Sequence, residues 1–369
     1  MGTGLSKSFQ RFTQAQAARQ SRIFDLTAER VSAHRHALWM KSTAGLMAAV
    51  MYLSPIAFLF DEVAQAAPIV DPRAPIQFQP AITQSSAGVP VINIPSPNAQ
   101  GLSVSQFQNL SVGAEGLIFN NSLSAGTSLT GGQVGADPNL AGRTASTILA
   151  QVTATGSQYA SVIAGPLEIF GNTAALIIAN PNGISVPGGT ALTNISNLTL
   201  TTGTPQFIMA AGGTPTSYAN AGALAYSVNS GNITINGPAG NNGTPGAGIA
   251  GTVGNLDVIG QTVNVNAPLN ANQRVNIITG NQLVTPTSSD TTGTTWGTSS
   301  NGGTNTAAGA GLSAGSYAID ASQYGSVTAG QIYIPRRSHH RTSLHMRRWG
   351  ERSPPARVTV AQLERSAVD

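Results

Sequence analysis

The chain has 369 residues, of which 41% are hydrophobic, 5% aromatic and 9% charged, with 42 glycines, 21 prolines and no cysteine. Ordinary soluble domains carry about 25% charged residues, so a chain this poor in charge must satisfy its backbone by regular pairing or stay disordered. The lack of cysteine excludes a disulfide framework and thiolate metal sites, and the net charge of +4 excludes no class until its distribution is read.

The basic residues crowd the two ends. Between Ala67 and Pro335 stand only Arg73, Arg143 and Arg274, against Asp71, Glu115, Asp137, Glu168, Asp257, Asp290 and Asp320. The middle is mildly acidic, which argues against a nucleic-acid partner.

In chain order, basic residues up to Lys41 precede an apolar run from Ala44 to Phe60, then the small-residue string Ala64-Gln65-Ala66-Ala67. This is the order of a Sec-type signal peptide, so residues 1–66 are read as an extended helical signal segment cut after Ala66. Pro55 interrupts the run, which is marginal for the ~20 residues of a spanning helix and favours cleavage over retention as an anchor.

The body of the chain is placed at 67–335. Ile69 to Gly101 is Pro-rich and polar and reads as an N-terminal cap. Beyond it come short runs with period-two apolar spacing: Leu117–Phe119, Leu167–Phe170, Ala175–Ile178, Ile184–Val186, Leu198–Leu200, Ile233–Ile235, Leu256–Ile259, Val263–Val265 and Val275–Ile278. Each is bounded by Gly, Asn or Pro, so all read as strands between tight turns. Thr285 to Gly315, rich in Gly, Ser and Thr, reads as an excursion loop, and Tyr317–Ile319 and Gln331–Ile334 as the last strand pieces.

Short strands with regular turns fit a sandwich, a barrel or a parallel β-helix. Val, Ile, Leu and Ala at inward positions, few aromatics, and Asn at strand ends (Asn180, Asn182, Asn194, Asn197, Asn232, Asn236, Asn264 and Asn266) favour the β-helix, with amides stacked between coils. No strict repeat length emerges, so the solenoid is expected to be irregular. The Asn-x-Ser/Thr strings at Asn194, Asn197 and Asn232 are read as structural rather than as sugar acceptors. After Pro335 the composition changes abruptly: residues 336–369 form a basic tail with eight Arg, read as disordered or out of frame. A nucleic-acid or membrane tail is the alternative.

Chemistry-bearing groups are sparse. A β-helix lyase needs a base and a cation site of clustered carboxylates, whereas 67–335 holds no His, Lys or Cys and its acids are dispersed. No catalytic residue, metal ligand or cofactor site is assigned, and the chain is not read as an enzyme. Two turn strings stand out: Asp137-Pro138-Asn139-Leu140 and Asn180-Pro181-Asn182-Gly183-Ile184. In such strings Pro fixes one φ, Asn or Asp caps through its side chain, and Gly takes positive φ.

In context these strings resemble the motifs of the export, or haemagglutination-activity, domain of two-partner secretion exoproteins, the filamentous haemagglutinin family. Pro97–Leu123 resembles its opening block, Asp137–Leu140 its NPNL motif, Leu167–Ile184 its second motif, and Asn255–Gln282 and Ile319–Ile334 later blocks. Asp137 replaces the first Asn of NPNL and keeps a capping oxygen. The resemblance implies an all-β, right-handed parallel β-helix with an N-terminal cap. It also implies export through the Sec machinery and the periplasm, and recognition by an outer-membrane partner pore with POTRA modules. Residence is then the surface or surroundings of a Gram-negative bacterium, with adhesion or haemagglutination as the role of the full-length family.

Residues 137–140 and 180–184 are expected to be needed for secretion, by direct recognition or by closing turns. Other readings are a complete adhesin that binds host cells or glycans, a polysaccharide-active β-helix enzyme, and a truncated remnant.

Overall fold

The computed structural model describes residues 67–236, 248–251, 253–290, 293–299, 319–321, 326–334 and 357–358. The signal segment, with Ala64 and Ala66, lies outside them. Ala67 is the first described residue and is exposed.

The described chain winds as a right-handed parallel β-helix with three faces, visited in a fixed order along each coil. Face one is built by Pro90–Asn93, Leu117–Asn121, Leu167–Gly171, Thr190–Thr193, Ile249–Gly251, Pro268–Asn270 and Ser326–Thr328. Face two is built by Leu102–Asn109, Thr147–Val152, Ala174–Ala179, Ile195–Thr201, Asn255–Gly260, Arg274–Thr279 and Gln331–Tyr333. Face three comprises Ser161–Val162, Ile184–Val186, Asn232–Asn236, Thr262–Asn266 and Ile319–Ala321. Every pairing between these coils is parallel.

Alternation within each strand decides what fills the interior. On face two, Ile148, Leu176, Leu198, Leu256 and Val275 occupy one register column, and Ala150, Ile178, Leu200, Val258 and Ile277 the next but one. All point into one continuous core shared by the three faces. Each large aliphatic side chain buried in this way contributes about 1.5–3 kcal/mol, so the stacked columns are the main stabilising term. Phe107 and Phe119 also lie in this core, completely buried in the first two coils.

The first coil is sealed by antiparallel strands. Ile69–Val70 pairs with Leu102–Asn109 on face two, and Ala81–Gln84 pairs with Pro90–Asn93 on face one. The expected cap, Ile69 to Gly101, is therefore shorter than the sequence reading: Val91–Asn93 pair in parallel with Ile118–Asn120 and already belong to the first coil. The alternation Val91-Ile92-Asn93-Ile94 reads the same whichever way a strand is paired, so local pattern did not separate cap from coil.

Two excursions leave the helix. A hairpin, Gly126–Ser128 with Gly132–Val134, packs on the outside of face one. A four-stranded antiparallel sheet, in the order Thr204–Ile208, Ala223–Val228, Gln282–Asp290 and Gly293–Ser299, covers the outside of face two. The segment read as a loop from Thr285 is thus a β-hairpin as far as Ser299. Its Thr and Ser side chains are exposed or half-buried while Val284 and Trp296 are buried against face two, and those two apolar residues alone made too weak a pattern to be read as strands. Coil lengths differ for the same reason: face-aligned residues Asp257 and Asn276 are 19 apart, whereas Thr199 and Asp257, with Thr204–Ile208 and Ala223–Val228 between them, are 58 apart.

The tail lies outside the described residues except Arg357–Val358, which pair antiparallel with Val327 and Thr328. No helix among the described residues is long and apolar enough to cross a membrane.

Candidate functional site: the asparagine corners

Three Pro-Asn dipeptides mark corners of the first three coils: Pro97-Asn98, Pro138-Asn139 and Pro181-Asn182. The second and third belong to the two strings singled out above. Asn98, missed as a site residue although its string was noticed, uses both ends of its amide. Its Oδ1 accepts the N–H groups of Gln100 (3.0 Å) and Leu102 (2.9 Å), and its Nδ2 donates to the carbonyls of Tyr218 (2.7 Å) and Ala221 (2.8 Å). It turns the chain onto face two and pins the outer sheet's connecting segment to the first coil.

The string 137–140 sits at the corner between faces one and two of the second coil. Asp137 Oδ1 accepts the Asn139 N–H at 2.8 Å, the short loop expected of a capping aspartate. The Asp137 N–H donates to Ser122 O (2.8 Å), and Asn139 Nδ2 reaches Asn93 O of the first coil (3.1 Å). Pro138 is exposed, while Leu140 is completely buried in the central core. Burial pushes the Asp137 carboxyl up to about 6, against the opposing pull of the Asn139 and Ile94 N–H groups. Its Oδ2 is buried without a well-formed hydrogen bond.

The string 180–184 lies at the corner between faces two and three of the third coil. Asn180 is completely buried. Its Oδ1 accepts Asn182 N (2.9 Å) and Nδ2 (2.8 Å), and its own Nδ2 donates to Tyr159 O (2.7 Å) and Ser161 Oγ (2.9 Å) of the preceding coil. Its backbone N–H donates to Thr201 O of the following coil (2.9 Å). Asn182 Nδ2 donates to Ala154 O and its Oδ1 accepts Gly156 N–H, each at 2.8 Å. Gly183 takes φ +118°, which L side chains rarely adopt, and Ile184 enters the core. Pro181 O accepts Ser230 Oγ at 3.0 Å. One tetrapeptide turn thus joins three coils. The two strings are not brought together; they occupy different corners of successive coils.

The expected stacking of amides holds at some strand ends and not at others. Asn197 Oδ1 accepts Asn255 Nδ2 (2.9 Å), Asn236 Oδ1 accepts Asn266 Nδ2 (2.8 Å), and Asn93 Oδ1 accepts Asn120 Nδ2 (2.8 Å). Asn194 instead donates to the carbonyls of Ile169 (2.8 Å) and Gly171 (2.9 Å) from a backbone at φ +57°. These uses of Asn194 and Asn197 support the structural reading of their Asn-x-Ser/Thr strings.

Electrostatics outside the corners centre on two buried acids beneath the excursions. Glu168 accepts Ser128 Oγ (2.8 Å) and the N–H groups of Leu129 (3.0 Å) and Thr130 (2.7 Å), clasping the hairpin tip. Asp257 lies under the outer sheet. Among the described residues no group of His, Cys, Asp or Glu is placed to hold a metal ion.

A capped parallel β-helix whose polar groups close turns and join coils defines a β-solenoid domain built for stacking. The comparisons agree: residues 66–346 match the model of the TPS secretion domain, and the chain belongs to that family. It is similar to filamentous hemagglutinin of Bordetella pertussis, 35% identical over 285 residues, covering 77% of this chain and 7% of that protein. Hemolysin of Serratia marcescens is 41% identical over 126 residues, covering 34% of this chain and 8% of its own. The tRNA nuclease CdiA-2 of Burkholderia pseudomallei is 31% identical over 303 residues, covering 79% and 8%. The chain therefore spans under a tenth of the length of these relatives. The crystal structure of the filamentous hemagglutinin secretion domain superposes with a TM-score of 0.56 at 32% identity, covering 72% of this chain and 77% of that one. This is a secretion-domain family rather than an enzyme family.

Proposed function

We propose that residues 67–335 direct the export of a two-partner secretion exoprotein. Residues 1–66 carry the chain through the Sec machinery, with cleavage between Ala66 and Ala67. The unfolded body then meets an outer-membrane partner pore with POTRA modules in the periplasm and folds at the surface of a Gram-negative cell. Adhesion to host surfaces or glycans belongs to the longer proteins of this family and is the role proposed for any coils that follow.

Family membership across nearly the whole body carries this reading. A body without lysine and with few charges threads a pore with little electrostatic self-repulsion, and its alternating strands pair as they emerge, each coil templating the next. For 180–184 we favour turn closure over direct recognition, because the side-chain oxygen and amide nitrogen of Asn180 are both engaged within the fold.

The test is secretion of the full chain with and without a co-expressed partner pore, following it in medium, periplasm and cell pellet. Pore-dependent release is expected; retention in the periplasm with every candidate pore, or release without any, overturns the reading.

A further inference from the structure

Asp257 points outward from face two and is completely enclosed by the outer sheet. In register it lies between Thr199 of the preceding coil and Asn276 of the following one. Its Oδ1 accepts Asn276 Nδ2 (2.6 Å) and, from the outer sheet, Trp296 Nε1 (3.2 Å); its Oδ2 faces Thr199 Oγ1 (3.3 Å). The Trp296 ring lies 5.6 Å from that of Tyr226, which belongs to the earlier excursion. The titratable or charged groups that face Asp257 among the described residues are Tyr226 of the outer sheet and Arg274 of the next coil. Arg274 does not pair with it: its guanidinium bonds Gln331 Oε1 and Thr294 O.

The outer sheet is held together across coils. Tyr226–Val228 leave the fourth coil and pair with Gln282–Val284, which leave the sixth. Closing this sheet therefore requires the intervening coil, the one that carries Asp257, to be in place.

We propose that Asp257 is a proton-responsive latch: its protonated carboxyl holds the outer sheet on face two, and its ionisation loosens that sheet. Every contact survives protonation, the one with Thr199 reversed in direction. A proton on Oδ2 is donated to Thr199 Oγ1, whose oxygen accepts it, while Oδ1 continues to accept from Asn276 and Trp296. Ionised, the group is a buried charge with neutral donors and no ion pair, an arrangement that costs free energy. The pull of three neutral donors and of the more distant Arg274 charge does not offset burial, and the carboxyl is pushed up to about 6 from 3.8. The sign is then fixed. The latch is strongest below pH 4 and weakens as pH rises through about 6. Between pH 5 and 7.5 linkage gives about a tenfold loss in the closed-to-open ratio.

The experiment is hydrogen exchange of the full chain at pH 5 and 7.5, corrected for intrinsic rates and resolved into segments. Residues 223–228 and 293–299 are expected to be about tenfold more protected at pH 5, while 174–179 in the central coils changes little. D257N is expected to keep the outer sheet protected at both pH values. W296F, which keeps the ring packing and removes the donor, is expected to lose protection chiefly at pH 7.5; it serves if D257N does not fold. Equal protection of the wild-type outer sheet at both pH values, a D257N that keeps the wild-type pH slope, or a W296F loss equal at both, overturns the proposal. None of these outcomes depends on secretion.

Discussion

Asn180 and Asp137 occupy comparable turns with opposite energetic consequences. Asn180 is buried with both ends of its amide bonded, so Asn180→Ala leaves Tyr159 O and the Asn182 N–H short of a partner. A loss of about 2–3 kcal/mol in urea unfolding is expected, with secretion falling in parallel. A secretion-deficient Asn180→Ala of wild-type stability would instead assign the residue to direct recognition. Asp137 is buried with one oxygen poorly bonded and its carboxyl raised to about 6. Its contribution is fully present below pH 4 and is lost as pH rises through 6. Asp137→Asn, which keeps the capping oxygen, is expected to stabilise the fold at pH 7 by about 1–2 kcal/mol and to flatten the pH dependence above pH 4. Chemical denaturation at pH 4.5 and 7 checks both. The turn role of these residues was legible because Pro, Asn and Gly specify turn geometry through local sterics. Their partners in neighbouring coils were not, since Tyr159 and Thr201 are chosen by register, which no short window contains.

At the scale of elements, strands on the central faces were readable and those of the excursions mostly were not. Leu167–Gly171 and Arg274–Thr279 carry strong apolar alternation because one face of each meets the core. Gly126–Ser128 and Gly132–Val134 bury little beyond Ser128 and Val134, and are tied down by Glu168 at the tip and by Ser86 and Ala87 alongside. Glu168→Ala is accordingly expected to free the hairpin tip without unwinding the coils. Limited proteolysis should show new cleavage near Leu129, with the far-UV spectrum unchanged; a loss of the whole β signal would show that the hairpin is part of the cooperative unit. Glu168 gave a signal in the sequence that was available and unused: an acidic residue inside the apolar run LEIF is anomalous unless something covers it.

For the molecule as a whole, two of the acids in the body share the same direction. Asp137 and Asp257 are both raised to about 6, whereas Asp71 is lowered, chiefly by the Thr153 hydroxyl. The stabilising contribution of Asp71 is fully present above about pH 4 and disappears only as pH falls below it. Among the described residues the slope between pH 4 and 7 therefore follows the two raised acids, and the described β-helix is expected to be more stable at pH 5 than at pH 7.5. Thermal melts across that range check it; a midpoint that rises with pH would contradict the burial described here. The fold class was readable because interior stacking constrains every third of a coil alike, while the site of each excursion is a matter of where an insertion interrupts that stacking.

The antiparallel strands over the first coil have one more consequence. They occupy the hydrogen-bonding edges of faces one and two on the N-terminal side. A solenoid so blocked cannot be extended from its N-terminal side, and the nucleation cost is met once, at the cap. Each later coil adds to a finished template at a roughly constant increment, so assembly obeys the kinetics of polymer elongation rather than those of a single cooperative collapse. The number of coils is then a free variable, open to variation by repeat gain and loss without any change to the part that starts it.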